Sequence, residues 1–89
     1  MANEKLLDVE IVTPQKTVFT GKAQSVTVPG SLAPFQILYN HAAIVSSLDQ
    51  GKVRIVDSNG KDVLYSTGKG FAEVNKNLVS ILVESADTE

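Results

Sequence analysis

Short stretches in which apolar and polar residues alternate run through the whole chain. Leu7, Val9 and Ile11 alternate with two acidic residues, and a similar alternation returns at 25–28 and 52–55. Alternation with a period of two places one set of side chains in a core and the other in solvent, as in a half-buried β-strand. Valine, isoleucine and threonine are frequent, and turn residues interrupt the chain every several positions. The pattern predicts an all-β protein, an antiparallel β-sandwich or flattened barrel of about eight to ten short strands.

The clearest turn signal is Asn59-Gly60, because this dipeptide accepts the positive φ angles of a tight primed turn. We therefore expect strand 52–57 to pair antiparallel with strand 61–67. The segment 40–48 is ambiguous, since it is compatible with a helix capped by Asn40 as well as with a strand or irregular chain. Its β-branched residues favour the strand.

The length and composition limit the possible functions. A chain of 89 residues has room for one domain, 1–89, in which 85–89 are expected to form a loose acidic tail. The absence of cysteine excludes disulfides, thiolate metal sites and a cysteine nucleophile. A net charge of -2 disfavours a nucleic-acid surface. The apolar runs are too short for a membrane span, and no signal peptide is visible.

The residue chemistry does not predict an enzyme, a metal site or a bound cofactor. His41 is the only histidine, and no serine lies in a G-x-S-x-G elbow, so a packed or interface histidine is the preferred interpretation. Gly68-Lys69-Gly70 lacks the spacing of a phosphate-binding loop. Lys69 could instead be the modified lysine of a small acyl- or biotinyl-type carrier domain. A carbohydrate-binding β-sandwich is a further alternative, although the chain has no tryptophan and only two tyrosines and three phenylalanines.

The last predicted strand, 78–83, is apolar on both faces except at Ser80. Only one face of a strand meets the core of a two-layer sandwich, so the other face needs a cover from the chain's own loops or from a partner protein. Alternation elsewhere favours Val79, Ile81 and Val83 as core, which leaves Leu78 and Leu82 outside.

From about residue 6 to residue 86 the sequence resembles the amino-terminal β-sandwich domain of the epsilon subunit of bacterial F-type ATP synthase. The segments that carry the resemblance are 7–14, 26–30, 35–38, His41-Ala42, 48–55 and Gly70-Phe71-Ala72-Glu73-Val74 followed by Asn77 and Val79. The sequence departs from the family pattern at Ala33-Pro34, at Ala43 where the family has proline, and at Lys69 where it has glycine.

The resemblance implies a non-catalytic subunit of the central stalk of a proton-transporting ATP synthase, although the residues do not distinguish proton from sodium coupling. The implied partners are the gamma subunit and the ring of c subunits, without nucleic acid, bound nucleotide or direct membrane insertion. The implied location is the cytoplasmic face of the bacterial inner membrane, as a peripheral subunit. Many family members continue into a carboxy-terminal helical hairpin, and this chain is expected to be a short form without it.

The resemblance also implies two contact sites. The loop expected to face the c-ring consists of Gly30, Ser31, Leu32, Ala33, Pro34 and Phe35. Two of its residues are prolines, which fix φ and stiffen a binding loop. The residues expected near gamma are His41, Ala42, Phe71, Glu73, Leu78 and Leu82.

Overall fold

A computed structural model of the protein describes residues 5–89, and these form nine β-strands. The strands are β1 (Leu7–Val12), β2 (Thr17–Val28), β3 (Phe35–Leu38), β4 (Ile44–Leu48), β5 (Gly51–Asp57), β6 (Asp62–Thr67), β7 (Gly70–Asn75), β8 (Leu78–Val83) and β9 (Ala86–Thr88). The all-β prediction is confirmed, and the helical alternative for 40–48 is wrong because 44–48 form β4. Between residues 5 and 89 there is no helix that could cross a membrane.

The long strand β2 belongs to both layers of the sandwich. At Ala23 it pairs with β1 on one edge and with β5 on the other. Beyond Ala23, β3 replaces β1 on the first edge. The first layer therefore has the order β4-β7-β8-β1-β2, and the second has the order β3-β2-β5-β6-β9. All of these pairs are antiparallel except β1 with β8, which is parallel.

The core lies between the two layers and consists of the inward residues of each alternating strand. The largest of its fully buried side chains are Leu7, Ile11, Ile37, Ile55 and Ile81. In β8 the buried residues are Val79, Ile81 and Val83, as the alternation predicts.

Positive-φ residues form the tight turns. In the β5–β6 hairpin the predicted strand pair is confirmed, but the primed turn predicted for Asn59-Gly60 is wrong. Gly60 has a φ of 82°, whereas Asn59 does not have a positive φ, because the Gly60 N–H bonds to the Asp57 carbonyl and closes the turn one residue earlier. Lys76 and Asn77 have φ values of 50° and 65° in the β7–β8 turn. The side chain of Asn77 accepts a 2.6 Å hydrogen bond from the backbone N–H of Asn40 and donates a 3.2 Å bond to its side-chain oxygen. This pair of asparagines ties the β3–β4 loop, which contains His41, to the β7–β8 turn.

The end of the chain differs from the prediction of a loose tail over 85–89. Ala86–Thr88 form β9, which pairs antiparallel with β6, and the Ala86 side chain packs against the core. The backbone N–H of Glu89 donates a 3.0 Å hydrogen bond to the carbonyl of Leu64. Its carboxylate lies 3.3 Å from Lys52 Nζ and accepts a hydrogen bond from the Ser66 hydroxyl. The alternation of β9 is too short to recognise in the sequence, since only three residues pair.

We expect the pairing of β9 to weaken in acid. The hydrogen bond from Ser66 and the charge of Lys52 hold the pKa of Glu89 below its ordinary value. A lowered pKa in the folded state contributes stability above the unfolded pKa, and this contribution is lost as the pH falls through the folded pKa. Hydrogen-exchange protection factors of the β9 amides should fall below about pH 4. In Glu89→Gln the protection factors of the β9 amides should no longer fall between neutral and acidic pH. An equal fall in wild type and in the variant would contradict the role of Glu89.

Candidate protein-interaction surface

Three strands of the first layer, β7, β8 and β1, place their outward residues in matched rows. In β8 the core residues alternate with Leu78, Ser80 and Leu82, which therefore point outward. Residues that pair directly on neighbouring strands point to the same face of the sheet. The rows across β7, β8 and β1 are Phe71–Leu82–Val12, Glu73–Ser80–Glu10 and Asn75–Leu78–Asp8. We call this surface the outer face of β7–β8–β1.

Large apolar side chains are exposed on this face. Phe71 is 56% exposed, Leu78 48% and Leu82 47%, and Val45 of the edge strand β4 lies opposite Glu73. The described chain covers each of these side chains only in part. Hydrophobic groups concentrated in this way on one face are typical of a surface that meets another protein.

The outer surface of the second layer has a different character. There the exposed Leu64 lies opposite Arg54, whose guanidinium makes two 3.0 Å hydrogen bonds to the carboxylate of Asp62. These bonds raise the pKa of Arg54 and lower that of Asp62. The charges of Arg54 and Asp62 on this side of the sandwich are therefore paired with each other.

A cleft of about 650 Å³ lies at the end of the outer face of β7–β8–β1. Apolar parts of Val12, Pro14 and Leu48 line it together with Phe71 and Leu82. Ser31 and Lys69 are also among the lining residues. The structure thus brings one residue of the predicted ring-facing loop to the same cleft as two of the predicted gamma-facing residues.

The loop 30–34 is anchored at its base and exposed at its tip. Ser31 N–H donates a 3.0 Å hydrogen bond to the Ser47 carbonyl, and the Ser31 hydroxyl donates a 3.2 Å bond to Asp49. Ala33 and Pro34 are exposed, and the Leu32 side chain is 104% exposed, so nothing in the described chain shields it. Gly30 is buried, and an added Cβ would lie only 2.6 Å from the Ala33 carbonyl oxygen, so the base of the loop has no room for a larger residue there.

Phe35 and His41 lie apart from the exposed tip of this loop. Phe35 is partly buried and packs against the core, so within the predicted ring-facing set it points inward. Its ring centroid is 6.3 Å from that of His41. His41 and Ala42 lie in the β3–β4 loop, which the Asn40–Asn77 hydrogen bonds hold at the end of the face nearest Leu78. The structure does not bring them next to Phe71 and Leu82, which occupy the opposite end.

Lys69 does not stand at the tip of a hairpin. Gly68 and Lys69 connect β6 of the second layer to β7 of the first, and these two strands do not pair with each other. The Lys69 carbonyl accepts a 3.0 Å hydrogen bond from the N–H of Glu84, which holds this connection against the strand end. The geometry lacks the protruding turn that a carrier lysine needs. Within residues 5–89 no group of histidine, aspartate and glutamate side chains is arranged to hold a metal ion.

Five residues of these rows were not among the predicted contact residues, namely Asp8, Glu10, Val12, Asn75 and Ser80, and neither was the neighbouring Val45 of β4. The alternation of β1 places Glu10 and Val12 opposite its core residues, so their outward direction could have been read from the sequence. Their position beside Ser80 and Leu82 could not, because it depends on the parallel pairing of β1 with β8.

Comparison with known proteins gives a consistent result. A family model for the β-sandwich domain of the ATP synthase delta/epsilon chain matches residues 6–89. The ATP synthase epsilon chain of Chlorobaculum tepidum is 37% identical over 83 residues, which cover 93% of this chain and 94% of that protein. The epsilon chain of Desulfosudis oleivorans is 42% identical over 81 residues, covering 91% of this chain and 61% of that protein. The chain therefore spans about three fifths of some relatives and nearly all of others.

Two solved structures contain chains with the same fold. One is a chain of the Euglena gracilis mitochondrial ATP synthase, from a structure of its OSCP, F1 and c-ring, with a TM-score of 0.90 and 19% identity. The match covers 99% of this chain and 56% of that one. The other belongs to the central stalk and c-ring of the Tetrahymena thermophila mitochondrial ATP synthase, with a TM-score of 0.75 and 20% identity over 98% of this chain and 69% of that one.

Proposed function

The chain belongs to the ATP synthase delta/epsilon chain family through its β-sandwich domain, and on this basis we propose that it is a non-catalytic subunit of the central stalk. In this role it binds the gamma subunit and rests on the c-ring, and it helps to transmit ring rotation to the catalytic head. The observation that carries the proposal is the family match over residues 6–89, because it includes every strand of the sandwich.

The distribution of exposed apolar groups supports two separate contacts. We assign gamma to the outer face of β7–β8–β1, where Phe71, Leu78 and Leu82 are about half exposed. His41 and Ala42 lie at the rim of this contact, next to the β7–β8 turn. We assign the c-ring to the tip of the loop 30–34, whose exposed Leu32 stands on a hydrogen-bonded base. A side chain presented on a stiff loop loses little conformational entropy on binding.

The proposed location follows from the proposed complex. A subunit that touches the c-ring from outside the membrane is a peripheral protein, and in a bacterium it lies on the cytoplasmic face of the inner membrane. The complex synthesises ATP with a proton gradient, and this chain contributes the contacts that link the c-ring to gamma. Purification of the native complex through a tag on this chain tests the proposal directly: gamma and c should be recovered with it, and recovery of neither would refute it.

A cysteine crosslink tests the placement of the loop. Because the chain has no native cysteine, Leu32→Cys introduces a single reactive thiol at the tip of the loop. In the assembled complex, with a second cysteine in the polar loop of subunit c, oxidation should give a crosslink between the two chains. The matched control is Asn59→Cys, which lies in the exposed β5–β6 turn at the opposite end of β5. Crosslinking of the control but not of Leu32→Cys would reverse the proposed orientation.

A further inference from the structure

Two carboxylates flank a serine in the central row of the outer face of β7–β8–β1. Glu73, Ser80 and Glu10 are consecutive cross-strand partners. The Ser80 hydroxyl donates a 2.9 Å hydrogen bond to Glu10 Oε2. Since neighbouring strands are about 4.8 Å apart, the two glutamates start from backbone positions roughly 10 Å apart with the small serine between them. A single cationic side chain placed over Ser80 would lie within reach of both carboxylates.

These two carboxylates are not neutralised within the described chain. No ion pair joins Glu10 or Glu73 to a cation among residues 5–89, whereas in the next row Asp8 lies 2.8 Å from Lys22 Nζ. On the second layer Asp62 and Glu89 are likewise paired, with Arg54 and Lys52. The central row is thus the part of this face with uncompensated negative charge.

Apolar side chains border the acidic row on both sides. Phe71 and Leu82 form the row on one side, and Leu78 lies in the row on the other. Any protein that covers these three side chains must also remove water from Glu10 and Glu73. A carboxylate that loses its water without gaining a cation or hydrogen-bond donors opposes binding strongly.

We propose that the segment of gamma that docks here is both apolar and basic, and that it places an arginine or lysine over Ser80 between Glu10 and Glu73. Its apolar side chains then cover Phe71 and Leu82 on one side and Leu78 on the other. An arginine fits this position well, because its planar group can donate hydrogen bonds to two carboxylates at once. The inference rests on the proposed function, since it specifies the chemistry of the partner at the same face.

Charge argues against a second copy of this chain as the occupant. A symmetric dimer through this face would bring the acidic row of one copy towards that of the other. Like charges facing each other across an interface are repelled, so the face disfavours self-association. The complementary partner is a cationic one.

The experiment measures binding of the intact chain to purified gamma from the same organism at low and moderate salt. The test variant is Glu10→Gln/Glu73→Gln, which keeps the side-chain shapes and the hydrogen bond from Ser80 while removing both charges. The control is Asp87→Asn, which removes an exposed carboxylate from β9 in the second layer. We expect the double variant to bind about tenfold more weakly at low salt and to lose most of the salt dependence of wild type. The control should behave as wild type.

The possible outcomes separate this inference from the proposed function. If wild type binds gamma and the double variant binds equally well with the same salt dependence, the cation is absent and the inference fails while the proposed function stands. If wild type does not bind gamma, both fail. Sedimentation of the chain alone provides the remaining check. If the chain dimerises, and the double variant dimerises more strongly than wild type, a second copy is the occupant and the inference is overturned.

Discussion

Gly70→Ala should lower the free energy of unfolding of this protein far more than any other exchange of glycine for alanine in the sandwich. Gly70 opens β7 between two strands, paired with Val83 of β8 and with Leu48 of β4. A Cβ at this position would lie 1.9 Å from the Leu82 carbonyl oxygen and 2.8 Å from Val83 Cα. Both atoms belong to the backbone of a paired strand, so they cannot rotate away as a side chain would.

The expected loss in the free energy of unfolding is about 3 kcal/mol, which is at the upper end of the usual cost of inserting extra atoms into a packed core. For a domain of this size, 3 kcal/mol corresponds to a fall in the melting temperature of roughly 12–24 °C. Thermal and urea unfolding followed by circular dichroism would measure it. Gly21→Ala is the matched control, because its Cβ would meet the outer end of the Phe19 ring at 3.3 Å, and that ring can turn aside. Equal stability of the two variants would show that β8 moves away from β7 at little cost.

The sequence was sufficient for the parts of the fold that depend on local chemistry. Alternation predicts which residues of β1, β5 and β8 are buried, because the side-chain period of a strand is fixed by its backbone geometry. Asn59-Gly60 predicts the position of the β5–β6 hairpin, because glycine accepts the positive φ that Gly60 has there. Neither inference requires knowledge of which strands are neighbours.

The features that the sequence could not predict depend on distant pairing. The acidic row combines Glu10 with Glu73 and Ser80, which come more than sixty positions later in the chain. The three residues meet because β8 lies between β1 and β7. Alternation gives the direction of each side chain but not the register between strands. The strand β9 was missed for a related reason, since its three residues are held by backbone bonds to β6 and by the side chain of Glu89 rather than by a hydrophobic pattern of their own.

For the same reasons, the residues predicted to contact gamma share one face only in part. Phe71, Leu78 and Leu82 lie on one outward face, as the doubly apolar last strand suggested. His41 lies at the rim, because its loop is positioned by the Asn40–Asn77 hydrogen bonds and not by the strand pattern. Leu82 is consequently the better residue with which to test this contact.

Leu82→Glu should abolish binding to gamma while leaving the isolated chain folded. The side chain is 47% exposed and points away from the core, so the loss of stability should be about 1 kcal/mol or less. At the interface the new carboxylate would replace an apolar contact beside Phe71. It would also be a third carboxylate without an ion pair on a face that already carries Glu10 and Glu73, since Asp8 is paired with Lys22. An unpaired buried charge costs about 3–5 kcal/mol, which corresponds to a loss of affinity of roughly 100-fold or more.

The matched control is Leu64→Glu, which makes the same chemical change on the outer surface of the second layer, where Leu64 is 38% exposed. Thermal unfolding and the affinity for gamma should be measured on both variants. Leu64→Glu should retain affinity because its face lies on the opposite side of the sandwich. A folded Leu82→Glu variant that binds gamma normally would remove the outer face of β7–β8–β1 from the interface. Loss of binding in Leu64→Glu alone would place gamma on the second layer, where the ion pairs of Arg54 and Lys52 would then have to be broken or covered.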